Sequence, residues 1–347
     1  YLRYGPGGQL IALVMDDDEW TVAVDGKPWE EKFEYVWNPV FSGDGTCVVA
    51  QVKNGMDYSL AVEGVPWDAS FPSIREFSVS PDGGTVAAAV QVDRLREADT
   101  EGFMKGTWSL AVNGKVWDDK YINVWGPIAA NGGSAAAEVR LGKHEFSVAR
   151  DGKVWGSRFA AVWEPKFSPA GKVLVPANLG GWTLVADGEP AWSGRYTQLW
   201  RPRFGADGAK VAAVVATSFG HWTIAVDDQP WTNTWKDVVL PPVFSSNGKH
   251  VAAVVKDGGA WGVAVDGEPW PGKFEMVWDP VFSPDGTSVA AKVERNGKYG
   301  VAVDNRVSSR LFEALWSPVF SPDGTRILLR AIEHGQYTRI VLPLGDL

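Results

Sequence analysis

The residue types that most often do chemistry are few in this chain and poorly placed for it. The four histidines are His144, His221, His250 and His334, and none has a second ligand at a metal-binding spacing such as H-x-x-x-H or H-x-E. Three of them, His144, His221 and His334, fall in connections that open on one face of the repeat architecture derived below. A shared metal would need them to converge near its axis, and loop histidines solvated one by one are the simpler reading. Cys47 is the single cysteine, set in Cys47-Val48-Val49-Ala50, where a small buried hydrophobe explains it better than a reactive thiol. One cysteine excludes an intrachain disulfide and an iron–sulfur cluster built from this chain, and C-x-x-C-H for covalent haem is missing. So are G-x-S-x-G and a Walker-type glycine loop. Carboxylates such as Asp266 and Asp285 sit in Asp-Gly turns whose geometry already requires them. The sequence offers no catalytic, cofactor-binding or metal-binding residue, and reads as a protein that is not an enzyme and has no cofactor of its own.

Those Asp-Gly turns are the elements that organise the chain. In Trp261 to Val293 three short apolar runs are separated by Asp266-Gly267 and Ser283-Pro284-Asp285-Gly286. Asp-Gly between β-formers marks a hairpin, because both central positions need a positive φ. Ser-Pro-Asp-Gly presets the second turn, which places Phe282 and Val289 on antiparallel neighbours. The Asp-Gly turn recurs at Asp25, Glu63, Asn113, Asp151, Asp187, Asp227 and Asp304, with a period of about 38 residues, and the Pro-Asp-Gly turn recurs with it. A period near 40 with about four strand-sized pieces is the signature of a propeller blade.

We name the strands A to D in chain order within a unit. Nine A, B and C strands can be counted but only eight D segments, the ninth unit lacking its outermost strand. The expectation is an all-β fold, a closed β-propeller of four-stranded blades, nine in number with eight as the fallback, forming one domain over residues 1–347. In a closed ring the missing strand would most simply come from residues before Tyr1. The nineteen tryptophans follow the period. Five open strand C, seven follow the C–D turn (Trp29, Trp67, Trp117, Trp155, Trp192, Trp231 and Trp270), six precede strand A, and Trp235 stands outside these classes. A residue demanded once per repeat serves the repeat, so the indoles are expected to be buried as mortar between blades rather than to form a ligand shelf or an electron-hopping path. Replacing Trp278 by Ala should then cost about 3–5 kcal/mol.

Composition bounds the partners. A net charge of −9 without a basic stripe argues against nucleic acid, and no apolar run approaches the roughly 18 residues that span a bilayer. One connection departs from the period, the loop insertion at 93–106 between strands B and C of the third unit. It mixes charges with Leu95, Phe103 and Met104, which a plain solvated loop does not need. These three are the expected partner contact, with Arg94 and Arg96 fixing its orientation.

The cores Pro280 to Val293 and Pro318 to Ile332 resemble the P-x-[FW]-S-P-D-G-x-x-[IV]-A repeat of TolB-like, WD40-related propellers, a likeness of fold rather than function. The tryptophan-rich unit Trp20 to Ser42 is similar to repeats of the Trp-rich D subunit of the transmembrane electron-transfer (Tmc) complex of sulfate-reducing bacteria. That resemblance implies a non-catalytic, cofactor-free scaffold subunit, cytoplasmic and peripheral to the inner membrane. Its implied partners are an iron–sulfur subunit, a membrane cytochrome b and a multihaem cytochrome c. The alternatives are a periplasmic TolB-like binding module and, last, a hydrolase or lyase propeller with a site in its central channel.

Overall fold

The turn residues set the strand ends. In the computed structural model, which describes residues 2–95, 97–206 and 208–347, the residue before each turn glycine or its substitute holds φ between 46° and 50°, from Asp25 to Asp304. Its side-chain oxygen then accepts the backbone N–H that opens strand B of the same sheet. Asp25 takes Leu10 N–H, Asn113 takes Val86, Asp266 takes Val251 and Asp304 takes Val289, each at 2.8 Å. The acid is therefore a stitch between the C–D turn and strand B. In the other turn Gly286 N–H donates to Ser283 O at 2.8 Å and Ser288 N–H to Ser283 Oγ at 2.9 Å, and Phe282 pairs with Val289 as expected. Hydrogen bonds from Ser283 and then Thr287 hold the Asp285 carboxyl below its ordinary range.

Nine antiparallel sheets follow one another among the described residues, with strands in chain order. Sheet 2 is representative, with A Tyr35–Phe41, B Val48–Asn54, C Asp57–Val62 and a two-residue D, Val65–Pro66. In most sheets strand A carries an irregularity where a proline removes a ladder donor, and in sheet 3 the register shifts without one. In sheets 2, 4 and 6 the register shifts after Trp37, Trp125 and Trp200, where Asn38, Gly126 and Arg201 turn to positive φ before a proline. In sheets 7, 8 and 9 strand A splits in two, as in Met276–Val277 and Val281–Phe282. Sheet 9 ends with strand C, Gln336–Pro343, and has no strand D among the described residues.

The chain divides into two compact units. The first holds sheets 1 to 4 and most of sheet 5, the second the remainder with sheets 6 to 9. Within each, the core lies between consecutive sheets. Val49 and Leu60 of sheet 2 pack with Ile74, Val86, Ala88 and Val90 of sheet 3, and Val254 and Val263 of sheet 7 with Val277, Val289 and Val293 of sheet 8. Strand B is covered on both faces, which is why it is built from small residues such as Ala87, Ala88 and Ala89, all fully buried.

The tryptophans divide by role. Those after the C–D turn are mortar: Trp29, Trp67, Trp117, Trp155 and Trp231 lie on the turn glycine of the next sheet, while the turns that follow Trp192 and Trp270 carry Asp228 and Asn305 in its place. A Cβ on Gly64 would stand 2.9 Å from the Trp29 indole, and one on Gly267 3.0 Å from Trp231. Only Trp192 and Trp270 of these seven are buried; the other five are half-buried, a correction to the expectation of uniform burial, since the outer side of the short D strand stays open. The tryptophans before strand A pack differently. They meet the strand C aromatic of their own sheet, Trp200 on Trp222 at 4.6 Å and Trp278 on Tyr299 at 5.6 Å between centroids. Trp200 also packs on the core between sheets 6 and 7. Trp235 proves regular: with Phe33, Phe71, Tyr121, Phe159, Tyr196, Phe274 and Phe312 it forms a backbone bridge to the first aromatic of strand C.

Candidate partner-binding edge

The insertion after strand B of sheet 3 (Val86–Gln91) folds into a short helix, α1 (Thr100–Lys105). Asp99 caps it, accepting Gly102 N–H at 2.8 Å, and Glu101 pairs with Lys105 at 2.7 Å one turn on. Gly106 ends it at φ 93°, where a Cβ would meet the Tyr121 backbone at 2.6 Å. Val92 N–H donating to Thr107 O at 2.8 Å closes the neck.

Ion pairs hold the insertion down. Arg94 reaches sheet 2, donating to Asp57 at 2.6 Å and to Met56 O at 3.4 Å, while Lys120 pairs with Asp93 at 2.6 Å. Arg94 thus anchors the insertion to its neighbour. Leu95, Phe103 and Met104 are left partly exposed. Arg96 lies outside the described residues. The expected partner residues Arg94, Leu95, Phe103 and Met104 therefore belong to one anchored excursion.

The same edge carries a feature that the sequence did not disclose. Strand A begins where strand B ends, so Tyr35 and Trp37 of sheet 2 stand beside the B–C turn. Tyr35 stacks on Trp37 at 5.8 Å and 17°, and Trp37 on Tyr58 at 5.9 Å and 19°. Lys53 Nζ lies 5.4 Å from both tyrosine rings. In sheet 3 the Arg75 guanidinium covers Trp108 at 4.3 Å and donates to Val124 O at 3.2 Å. Next to it, burial and then the charge of Glu76 push the Glu138 carboxyl up to about 8. The pattern that could have revealed these clusters is the aromatic at the start of strand A recurring with a Lys or Arg late in strand B.

The residues that could do chemistry stay apart. No group of three or more His, Cys, Asp or Glu able to hold a metal occurs among the described residues. His250 is a turn residue whose Nδ1 lies 2.6 Å from Asp266. Cys47 is buried, and burial followed by the field of Glu63 pushes its thiol up to about 11, which leaves it inert at neutral pH. A groove of about 500 Å³ between sheets 2 and 3 is walled by Pro66, Trp67, Asn113 and Gly114, turn residues of the kind found in every sheet. No helix is long and apolar enough to cross a membrane among the described residues.

No family model matches the chain, and no curated protein is similar to it in sequence. Solved structures do match. One is a eukaryotic initiation factor, at a TM-score of 0.52 and 13% identity over 95% of this chain and 92% of that one. This chain has an all-β fold of successive, mostly four-stranded antiparallel sheets, the units from which propellers are built. Weaker likenesses are to the Dos1 propeller, at a TM-score of 0.41 and 12% identity over 100% of this chain and 92% of that one, and to TolB from Acinetobacter baumannii, at 0.33 and 16% over 76% and 63%. At these identities the likeness is one of fold alone.

Proposed function

We propose that this propeller is a non-catalytic scaffold subunit of a membrane-associated electron-transfer complex, docking its redox subunits through protein–protein contacts. The observation that carries the reading is the anchored insertion at 93–106, which presents Phe103 and Met104 on its helix and Leu95 beside Arg94, the residue that holds it to sheet 2. Apolar side chains grouped on one anchored excursion support a partner contact more than the same residues scattered singly would. The resemblance of the tryptophan repeats to the Tmc D subunit supplies the partners: iron–sulfur, cytochrome b and multihaem cytochrome c subunits. It also supplies the place, the cytoplasmic side of the inner membrane. Closure of the nine sheets into one ring over residues 1–347 belongs to the same proposal, and small-angle X-ray scattering that fits an open chain of sheets would remove it.

The test replaces residues 93–106 by a short Asn-Gly turn like Asn54-Gly55. The expected result is an unchanged far-ultraviolet circular dichroism spectrum together with loss of the redox subunits from material purified out of native membranes, read by mass spectrometry. Co-purification at the wild-type yield would show that the insertion is not the docking element.

A further inference from the structure

Methionine is rare in this chain, and three of its four copies stand at one edge of three consecutive sheets. Met15 lies near the end of strand B in sheet 1 (Leu10–Asp16), Met56 in the B–C turn of sheet 2, and Met104 in α1 of sheet 3. They are 55%, 69% and 49% exposed, although methionine is ordinarily among the buried types. The fourth, Met276, is half-buried in strand A of sheet 8. An unbranched, polarizable side chain can remould itself, which suits an apolar surface that must fit another surface. Phe103 and the Tyr35–Trp37 stack extend that surface with rigid rings.

Charge at this edge is one-sided. Among the described residues its cations are engaged within the unit: Lys32 with Asp16 at 2.8 Å, Arg94 with Asp57, Lys105 with Glu101 and Lys120 with Asp93. Lys53 and Arg75 lie over aromatic rings. Asp17, Asp18 and Glu34 form no ion pair among the described residues and are exposed. The open charge is therefore negative and borders the methionines.

We propose that this edge binds a basic amphipathic helix of a partner protein. The apolar stripe of that helix packs on Met15, Met56, Phe103 and Met104, and its Lys and Arg side chains face Asp17, Asp18 and Glu34. The proposal rests on the reading of this edge as a partner surface and adds the chemistry of the partner. The same negative charge repels an anionic lipid surface.

The test uses the full chain with isotope-labelled methionine methyls and a synthetic helical peptide of about 18 residues, leucine on one face and lysine on the other. The controls are the same peptide with glutamate for lysine, and one of the same composition scrambled to erase the apolar face. The methyl signals of Met15, Met56 and Met104 should shift while that of Met276 stays. Met15→Gln/Met56→Gln should weaken binding roughly tenfold and Asp17→Asn/Asp18→Asn about threefold, with affinity falling as salt is added. Equal binding of the glutamate or scrambled peptide, or undiminished affinity in both double variants, would overturn the proposal. Both double variants leave residues 93–106 intact. Peptide binding that depends on Met15 and Met56, in a protein whose shortened insertion still co-purifies with its subunits, would uphold the basic-helix proposal while rejecting the insertion as the docking element.

Discussion

Gly55 and Gly64 both hold a positive φ, 60° and 84°, yet they stand at opposite edges of sheet 2 and answer to different constraints. Around a Cβ on Gly55, in the B–C turn, there is nothing within 4 Å; on Gly64, in the C–D turn, the Trp29 indole is 2.9 Å away. The contrast extends along the molecule. The edge with the A–B and C–D turns repeats the same stitches from sheet to sheet, with indole-on-glycine packing at five of its turns. The edge with the B–C turns varies in length and composition and exposes methionines and aromatic rings. One edge builds the stack of sheets and the other is free to recognise something else.

Substitutions at the two glycines give the sharpest break of that comparison. Gly64→Val should cost about 3–5 kcal/mol, combining a forbidden backbone region with a clash against Trp29. Gly55→Ala should cost about 1 kcal/mol, from the backbone alone. Urea denaturation of both variants measures the difference, and equal losses would erase the distinction between the edges.

The tryptophans come next. Trp270→Ala, at a buried mortar position, should cost about 3–4 kcal/mol. Trp316, at the B–C edge and 44% exposed, should cost about 1 kcal/mol when replaced by Ala. Trp278→Ala belongs between them, at about 1–2 kcal/mol, because this indole is half-buried under Lys292, whose Nζ lies 4.0 Å from the ring. The melting temperatures should fall in that order.

A pH series sharpens the comparison within the B–C edge. The Glu138 carboxyl is raised to about 8, chiefly by burial, against an ordinary value of 4.5. The folded state therefore holds the proton that the unfolded state has released. Stability on this account is full below the unfolded value and is lost as pH rises through about 8, by on the order of 2 kcal/mol after allowance for partial exposure. Glu138→Gln should flatten the dependence of melting temperature on pH between about 5 and 8; an unchanged slope would mean the carboxyl is not strained there. The smallest effect is expected at Met56→Gln, within about 0.5 kcal/mol of wild type in the same urea titration.

Much of the turn edge could be read from the sequence, because turn chemistry is local. Asp266-Gly267 and Ser283-Pro284-Asp285-Gly286 specify their backbone within four residues, and Phe282 pairs with Val289 as those turns require. The split of strand A was harder to see, since Pro280 looks like the start of a strand when it is the point where one breaks. Trp235 was misjudged because its series is defined by a bridge to strand C rather than by residue type. The B–C edge was legible only at its longest excursion. Met15, Met56 and Met104 lie 41 and 48 residues apart with unlike neighbours, and only the stacking of sheets brings them to one border. Leu95, Phe103 and Met104 could be picked out because an insertion breaks the period; the helix over Thr100–Lys105 could not, being too short to show a periodicity.

The indole resting on the next sheet's turn glycine also bears on how such a chain can change over time. Sheets 2 and 3 each present the following sheet with a tryptophan and receive a tryptophan on their own glycine, as Trp29, Gly64, Trp67 and Gly114 do in sequence. Where the joint is the same on both sides of a repeat, as in these two sheets, that repeat can be duplicated or lost without a mismatched seam, while a change to one glycine injures two sheets at once.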